Sequence, residues 1–241
     1  MTTLTTLIRA ALLSICLLTG CKPKEPTPEK LLPNNTLIFI DKSDNKPLSD
    51  GIKKDFKIKL RNIVRNNIRS SEDRLAISFI YRDTPRELYK SFVLELKFQQ
   101  ELILQACYKA LELPPDSNNG STSGSDLWST IAIANSVFAD VDPNSIKYVY
   151  YFSDMVQNTP IRSFYKTQNL PKDNPAAIKM AKDDLKRIRD QFPELKNNHL
   201  KDANITVYQP RAALDNNTAS SRLFYYWKTI FEEMGAKYKT E

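Results

Sequence analysis

The feature that most constrains this chain is an alternation of two hydrophobic periods. Short apolar runs of strand length alternate with longer stretches whose apolar residues recur at helical spacing. The runs are Thr36-Leu37-Ile38-Phe39-Ile40, Arg74 to Tyr81 (RLAISFIY), Ile146 to Phe152 (IKYVYYF) and Asn204 to Tyr208 (NITVY). Near-continuous apolar runs fit strands that are covered on both faces. Between and after them, Ile52, Phe56, Leu60, Ile63 and Val64 mark one helix and Leu127, Ile131, Ala134 and Phe138 another. A helix starting at Asn174-Pro175 carries Ile178, Ala181, Leu185 and Ile188 on one face. A last one, opened by Ser221, carries Leu223, Trp227, Ile230, Phe231 and Met234, with Gly235 as its C-terminal cap. Thr84-Pro85-Arg86-Glu87 reads as a capping box with Pro at the first helical position. The helix it opens is predicted to run through Leu88, Phe92, Leu96, Ile103, Ala106 and Ala110 until Pro114-Pro115 stops it. Four strands alternating with helices predict an α/β fold: a doubly wound, mostly parallel, Rossmann-like sheet with helices on both faces. Such sheets bind ligands beyond the carboxyl ends of their strands. The loops to examine therefore follow Ile40, Tyr81 and Phe152, or precede Leu127.

The N-terminal stretch has a different logic. Residues 1–20 read MTTLTTLIRAALLSICLLTG: one positive charge, Arg9, and then an apolar run from Ala10 to Leu18. That run falls short of the about 20 residues that span a bilayer and has the proportions of a signal-peptide core. Leu18-Thr19-Gly20-Cys21 resembles the bacterial lipobox, in which cleavage precedes a cysteine that then receives a diacylglyceryl group. The resemblance implies a lipoprotein with its lipid on Cys21. Pro23, Pro26, Pro28 and Pro33, set among Lys and Glu, make residues 21–34 an extended tether. The expected organisation is signal peptide 1–20, lipid-anchored tether 21–34 and one domain over 35–241.

Composition removes several functions. The net charge is +7, or +6 without Arg9, with basic residues scattered among acids. Together with the export signal, this argues against a nucleic-acid partner. Cys107 is the one cysteine beyond Cys16 and Cys21, so the domain has no intramolecular disulfide, and it sits in a helical apolar pattern as a structural thiol. The one histidine, His199, lies in the polar stretch KNNHLKD. Cys/His zinc sites and histidine-based triads lack their parts. Any metal must be held by oxygen, which selects a hard cation such as Mg²⁺, Mn²⁺ or Ca²⁺.

Oxygen donors do gather at the expected sheet end. Asp41-Lys42-Ser43-Asp44-Asn45 follows the first strand, Ser125-Asp126 opens a helix, and Ser153-Asp154-Met155 follows the third strand. This pattern resembles the von Willebrand factor A-like family, in which a strand runs into Asp-x-Ser-x-Ser, a Thr precedes a later helix and an Asp follows the next strand. The resemblance implies a metal-ion-dependent adhesion site. Asp41 and Ser43 match its first two positions, and Asn45 stands at the second Ser. Ser125, with Thr122 as the alternative in the same loop, stands at the Thr, and Asp154 at the last Asp. Two departures are a Met155 where relatives often have Gly and four strands where they usually have six. A third is the long predicted helix from Pro85, where relatives usually have an edge hairpin.

The implied function is that of a non-enzymatic, membrane-tethered cell-envelope protein. Its divalent cation would leave one coordination position for an acidic side chain of a protein partner. A haloacid dehalogenase-like phosphatase is the enzymatic alternative, but it requires a second Asp two residues after the first, where this chain has Ser43. A metal-free interaction scaffold is the other alternative; Tyr148, Tyr150, Tyr151, Tyr225, Tyr226 and Trp227 would serve its interface, unless strand and helix burial account for them.

Overall fold

The computed structural model describes residues 31–42, 48–80, 88–90, 96–113, 125–208 and 217–241. One compact unit runs from Leu32 to Glu241. Its strands are β1 (Asn34–Asp41), β2 (Arg74–Ile80), β3 (Leu88–Lys90), β4 (Ile146–Phe152), β5 (Asn204–Tyr208) and β6 (Lys237–Thr240). Its helices are α1 (Asp50–Asn67), α2 (Leu96–Glu112), α3 (Leu127–Ala139), α4 (Asn174–Gln191) and α5 (Asn217–Glu233).

The strands form one sheet in the order β3-β2-β1-β4-β5-β6. All neighbours pair in parallel except β3, which runs antiparallel to β2 along one edge. Alternate residues of β1, β2, β4 and β5 serve two separate cores. Leu37, Phe39, Val149, Tyr151, Ile205 and Val207 pack with α3, α4 and α5 on one face. Ile38, Ile40, Ile77, Phe79, Tyr150 and Phe152 pack with α1 and α2 on the other. The fold is thus the doubly wound, mostly parallel α/β class expected from the sequence. β1 is buried from Asn34 to Ile40, as its unbroken apolar run requires. The Phe39 and Tyr151 rings stack at 5.0 Å on one face, and Phe56 meets Phe152 edge-on at 4.8 Å on the other.

The caps follow local chemistry. Ser49, Asp126 and Asp173 each accept a first-turn N–H, at the starts of α1, α3 and α4 respectively. Gly235 takes φ +71° beyond α5, the conformation a glycine cap adopts without strain. At the amino end of the sheet, Asp73 receives the N–H groups of Asn34, Arg69 and Ser70 and so ties β1 to the turn before β2.

Two expectations change. The helix predicted from Pro85 through Leu113 starts at Leu96, and Leu88–Lys90 belongs to β3, paired with Ala76–Ser78. The predicted capping box Thr84-Pro85-Arg86-Glu87 lies outside the described residues, and Leu88–Lys90 pair instead at an open sheet edge. Among the described residues the strands number six, not four, because β3 extends the sheet beside β2 and β6 beside β5. Tyr150, Tyr151, Tyr226 and Trp227 are core residues, at most 9% exposed, as burial alone would have it. No helix among the described residues is long and apolar enough to cross a membrane.

Candidate functional site

Parallel pairing brings the carboxyl ends of β1 and β4 together. Ile40 pairs with Phe152, so the next residues, Asp41 and Ser153, emerge side by side. The Ser153 hydroxyl donates to Asp41 Oδ2 at 2.7 Å and accepts the Met155 N–H at 2.9 Å. From the start of α3, the Ser125 hydroxyl donates to the same oxygen at 3.3 Å and lies 3.5 Å from Oδ1. Both serines are buried, while the carboxylate is half-exposed. One acid and two hydroxyls thus converge at the end of the sheet where doubly wound folds place their ligands.

Asp154 stands one residue beyond Ser153. Its Oδ1 accepts the Val156 N–H at 2.9 Å, an Asx turn. Met155 follows with φ +59°, a left-handed conformation that glycine adopts at no steric cost. Two contacts hold it there: the Ser153 hydroxyl at its N–H, and the Trp227 indole N–H, which donates to its carbonyl at 2.8 Å. Met155 thus holds a backbone shape that favours glycine by means of these two contacts.

A small hairpin comes next. Asn158 and Ser163 form an isolated bridge, and the Thr159 N–H donates to the Arg162 carbonyl at 2.8 Å. Gln157, at its base, reaches the first turn of α3. Its Oε1 accepts the N–H groups of Leu127 (2.7 Å) and Trp128 (3.2 Å).

Of the five predicted ligands, the structure brings Asp41 and Ser125 together and sets Asp154 at the neighbouring strand end. Ser43 and Asn45 lie outside the described residues, as do Thr122 and the predicted lipidation site, Cys21. Two contributors were not predicted. Ser153 was legible from strand register, since it stands beside Asp41 once Ile40 is set against Phe152. Gln157 carries no signal in its local sequence.

The donors are hydroxyl and carboxylate oxygens, the set that a hard cation takes. Among the described residues, no three His, Cys, Asp or Glu side chains converge as a metal-binding group. A cation here would rest on a hydroxyl-rich shell around Asp41. The titratable neighbours are otherwise engaged. The Lys42 amine donates to the carbonyls of Leu111 (2.9 Å) and Leu113 (2.8 Å) at the end of α2. Burial, followed by the charge of Lys53, pulls its pKa down to about 8 against the opposing effect of Glu112. The Cys107 thiol is fully buried and pushed up to about 12, so it is no nucleophile.

No family model matches the chain, and no curated protein matches it. Solved structures similar to it include the pilus adhesin SpaC from Lactobacillus rhamnosus GG, at 11% identity and a TM-score of 0.46, over 88% of this chain and 28% of SpaC. An aerotolerance-related membrane protein from Bacteroides fragilis matches at 9% identity and 0.43, over 86% of this chain and 90% of that one. The manganese-loaded TRAP protein of Plasmodium vivax matches at 11% identity and 0.44, over 80% and 64%. The chain thus spans little more than a quarter of SpaC. Likeness at this level passes no residue role and no partner to this chain.

Proposed function

We propose that this chain is a lipid-anchored binding protein of the bacterial cell envelope. In this reading, the signal peptide 1–20 is removed, Cys21 carries the lipid, and residues 21–34 hold the domain 35–241 off the membrane. The domain is a non-enzymatic binding module of the von Willebrand factor A type. Asp41, Ser43, Asn45, Ser125 and Asp154 hold Mg²⁺, Mn²⁺ or Ca²⁺, and a protein partner completes the shell with an acidic side chain.

The observation that carries this reading is the convergence of Ser125 and Ser153 on Asp41 at the carboxyl ends of β1 and β4. Neutral hydroxyl donors leave a bound cation short of negative charge, which suits it to accept a carboxylate from outside. The haloacid dehalogenase alternative is less favoured, since Ser43 stands where its general acid would be. A metal-free scaffold is the second reading. It is favoured by the internal hydrogen bonds that Asp41 and Asp154 already accept.

Thermal unfolding of the full chain in detergent tests the reading, in EDTA and then with each ion, beside Asp41→Ala. A ligand at 100 times its Kd stabilises a fold by about 2.7 kcal/mol. A cation-dependent rise in Tm that Asp41→Ala abolishes is the expected result. No shift with any ion, in a folded protein, would leave the metal-free scaffold.

A further inference from the structure

Gln157 is completely buried and spends its side-chain amide on residues that flank Ser125. Helix α3 begins with buried N–H groups that have no partner inside the helix. Its own cap, Asp126, covers the Ser129 N–H at 3.3 Å. Leu127 and Trp128 are left, and Gln157 Oε1 accepts from both, at 2.7 and 3.2 Å. The other end of the amide, Nε2, donates to Thr159 Oγ1 at 3.3 Å and lies 3.5 Å from Asp126 Oδ1. The backbone adds a further tie: the Asn158 N–H donates to the Ser125 carbonyl at 2.9 Å. Ser125 is therefore fixed from its C-terminal side by residues of the loop after β4. The same loop begins at Ser153, which donates to the same Asp41 oxygen as Ser125.

We infer that Gln157 is the positioning residue of the site: it sets the backbone of Ser125, and hence the distance of the Ser125 hydroxyl from Asp41. The inference rests on the cation-site reading for its functional consequence but has a structural consequence of its own. A glutamine serves where aspartate would not. Its amide accepts two helix N–H groups and donates to Thr159 at once, and it adds no second charge beside Asp126.

The same helix supplies a control. Asn135, also buried, donates to the carbonyls of Glu194 (3.2 Å) and Asn197 (3.1 Å) and accepts the His199 N–H at 2.8 Å. It cross-links the far end of α3, away from Asp41.

The test compares Gln157→Ala and Asn135→Ala with the unmodified full chain in detergent. The readouts are Tm, the Mn²⁺ dissociation constant and amide hydrogen exchange at Leu127 and Trp128. Both variants should lose thermal stability. Gln157→Ala alone should speed exchange at Leu127 and Trp128 at least ten-fold and raise the Mn²⁺ Kd at least ten-fold. Unchanged exchange there, or a Kd within two-fold of the unmodified chain, would overturn the inference, as would an equal rise in Kd for Asn135→Ala. If the unmodified chain binds no Mn²⁺, the cation reading falls, and exchange alone decides whether Gln157 positions Ser125. Should Gln157→Ala not fold, Gln157→Met keeps the side-chain volume, deletes both polar ends and carries the same test.

Discussion

At the scale of single residues, placement at the sheet end decides chemistry. Asp41 and Lys42 are neighbours in sequence but meet different surroundings. The carboxylate faces hydroxyls, whereas the amine is buried against the last carbonyls of α2. A lysine whose folded pKa is about 8, against about 10.4 in an unfolded chain, is protonated less readily when folded. Between those two values the unfolded state binds more protons, so stability rises with pH through that window and is lost as pH falls to about 8. The contribution is at most about 3 kcal/mol, and smaller to the extent that solvent screens the amine. Urea titrations of the unmodified chain and Lys42→Met should diverge between pH 8 and 10, the unmodified chain gaining relative to the variant. Parallel curves would mean that the amine is solvated. Asp41 and Ser125 were legible in the sequence because each marks the boundary of an element. Gln157 was not, because it acts on N–H groups 30 and 29 residues away, at Leu127 and Trp128.

At the scale of elements, helices α3, α4 and α5 meet the hairpin after β4 around one buried acid. Asp184 of α4 is fully buried. It forms an ion pair with Arg162 of the hairpin and accepts the Tyr226 hydroxyl of α5 at 3.0 Å. Tyr226 in turn accepts the Trp128 indole N–H of α3 at 3.3 Å. Burial first, and then the charge of Asp184, raises the Tyr226 pKa well above its usual value. Removing one partner of a buried pair strands the other. Asp184→Ala should therefore cost about 3 to 5 kcal/mol in denaturant unfolding. The double variant with Arg162→Leu should recover part of that loss; strict additivity would show that the two do not interact. The bounds of β4 and β5 could be read directly, since each is a dense apolar run whose last four residues are buried. Those of β3 and β6 could not. LYK and KYKT carry lysines and no apolar run, and edge strands need little burial to pair. At the first, the capping pattern around Pro85 favoured a helix that would include Leu88–Lys90, which pair with β2 instead.

At the scale of the whole molecule, stability comes from two cores on one sheet, with Cys107 inside the one lined by α1 and α2. Its thiol reports on global opening. Alkylation at Cys107, read by peptide mapping apart from Cys16 and Cys21, should be undetectably slow in the native chain at pH 8 and should track the unfolded fraction in urea, whereas fast labelling of Cys107 in native protein would reveal local opening of α2. The doubly wound class was legible because every parallel strand except β6 announces itself by its own apolar run. The shape of the site was not, because it depends on contacts across strands that sequence order separates. The last strand has one further consequence. β6 closes the sheet with Lys237 and Lys239, both exposed and two residues apart. Lys239 is paired there with Glu241, and a second copy approaching that rim to extend the ladder would still meet the exposed charge of Lys237. Crowding copies to high local density therefore sets a charge against the joining of their sheets end to end.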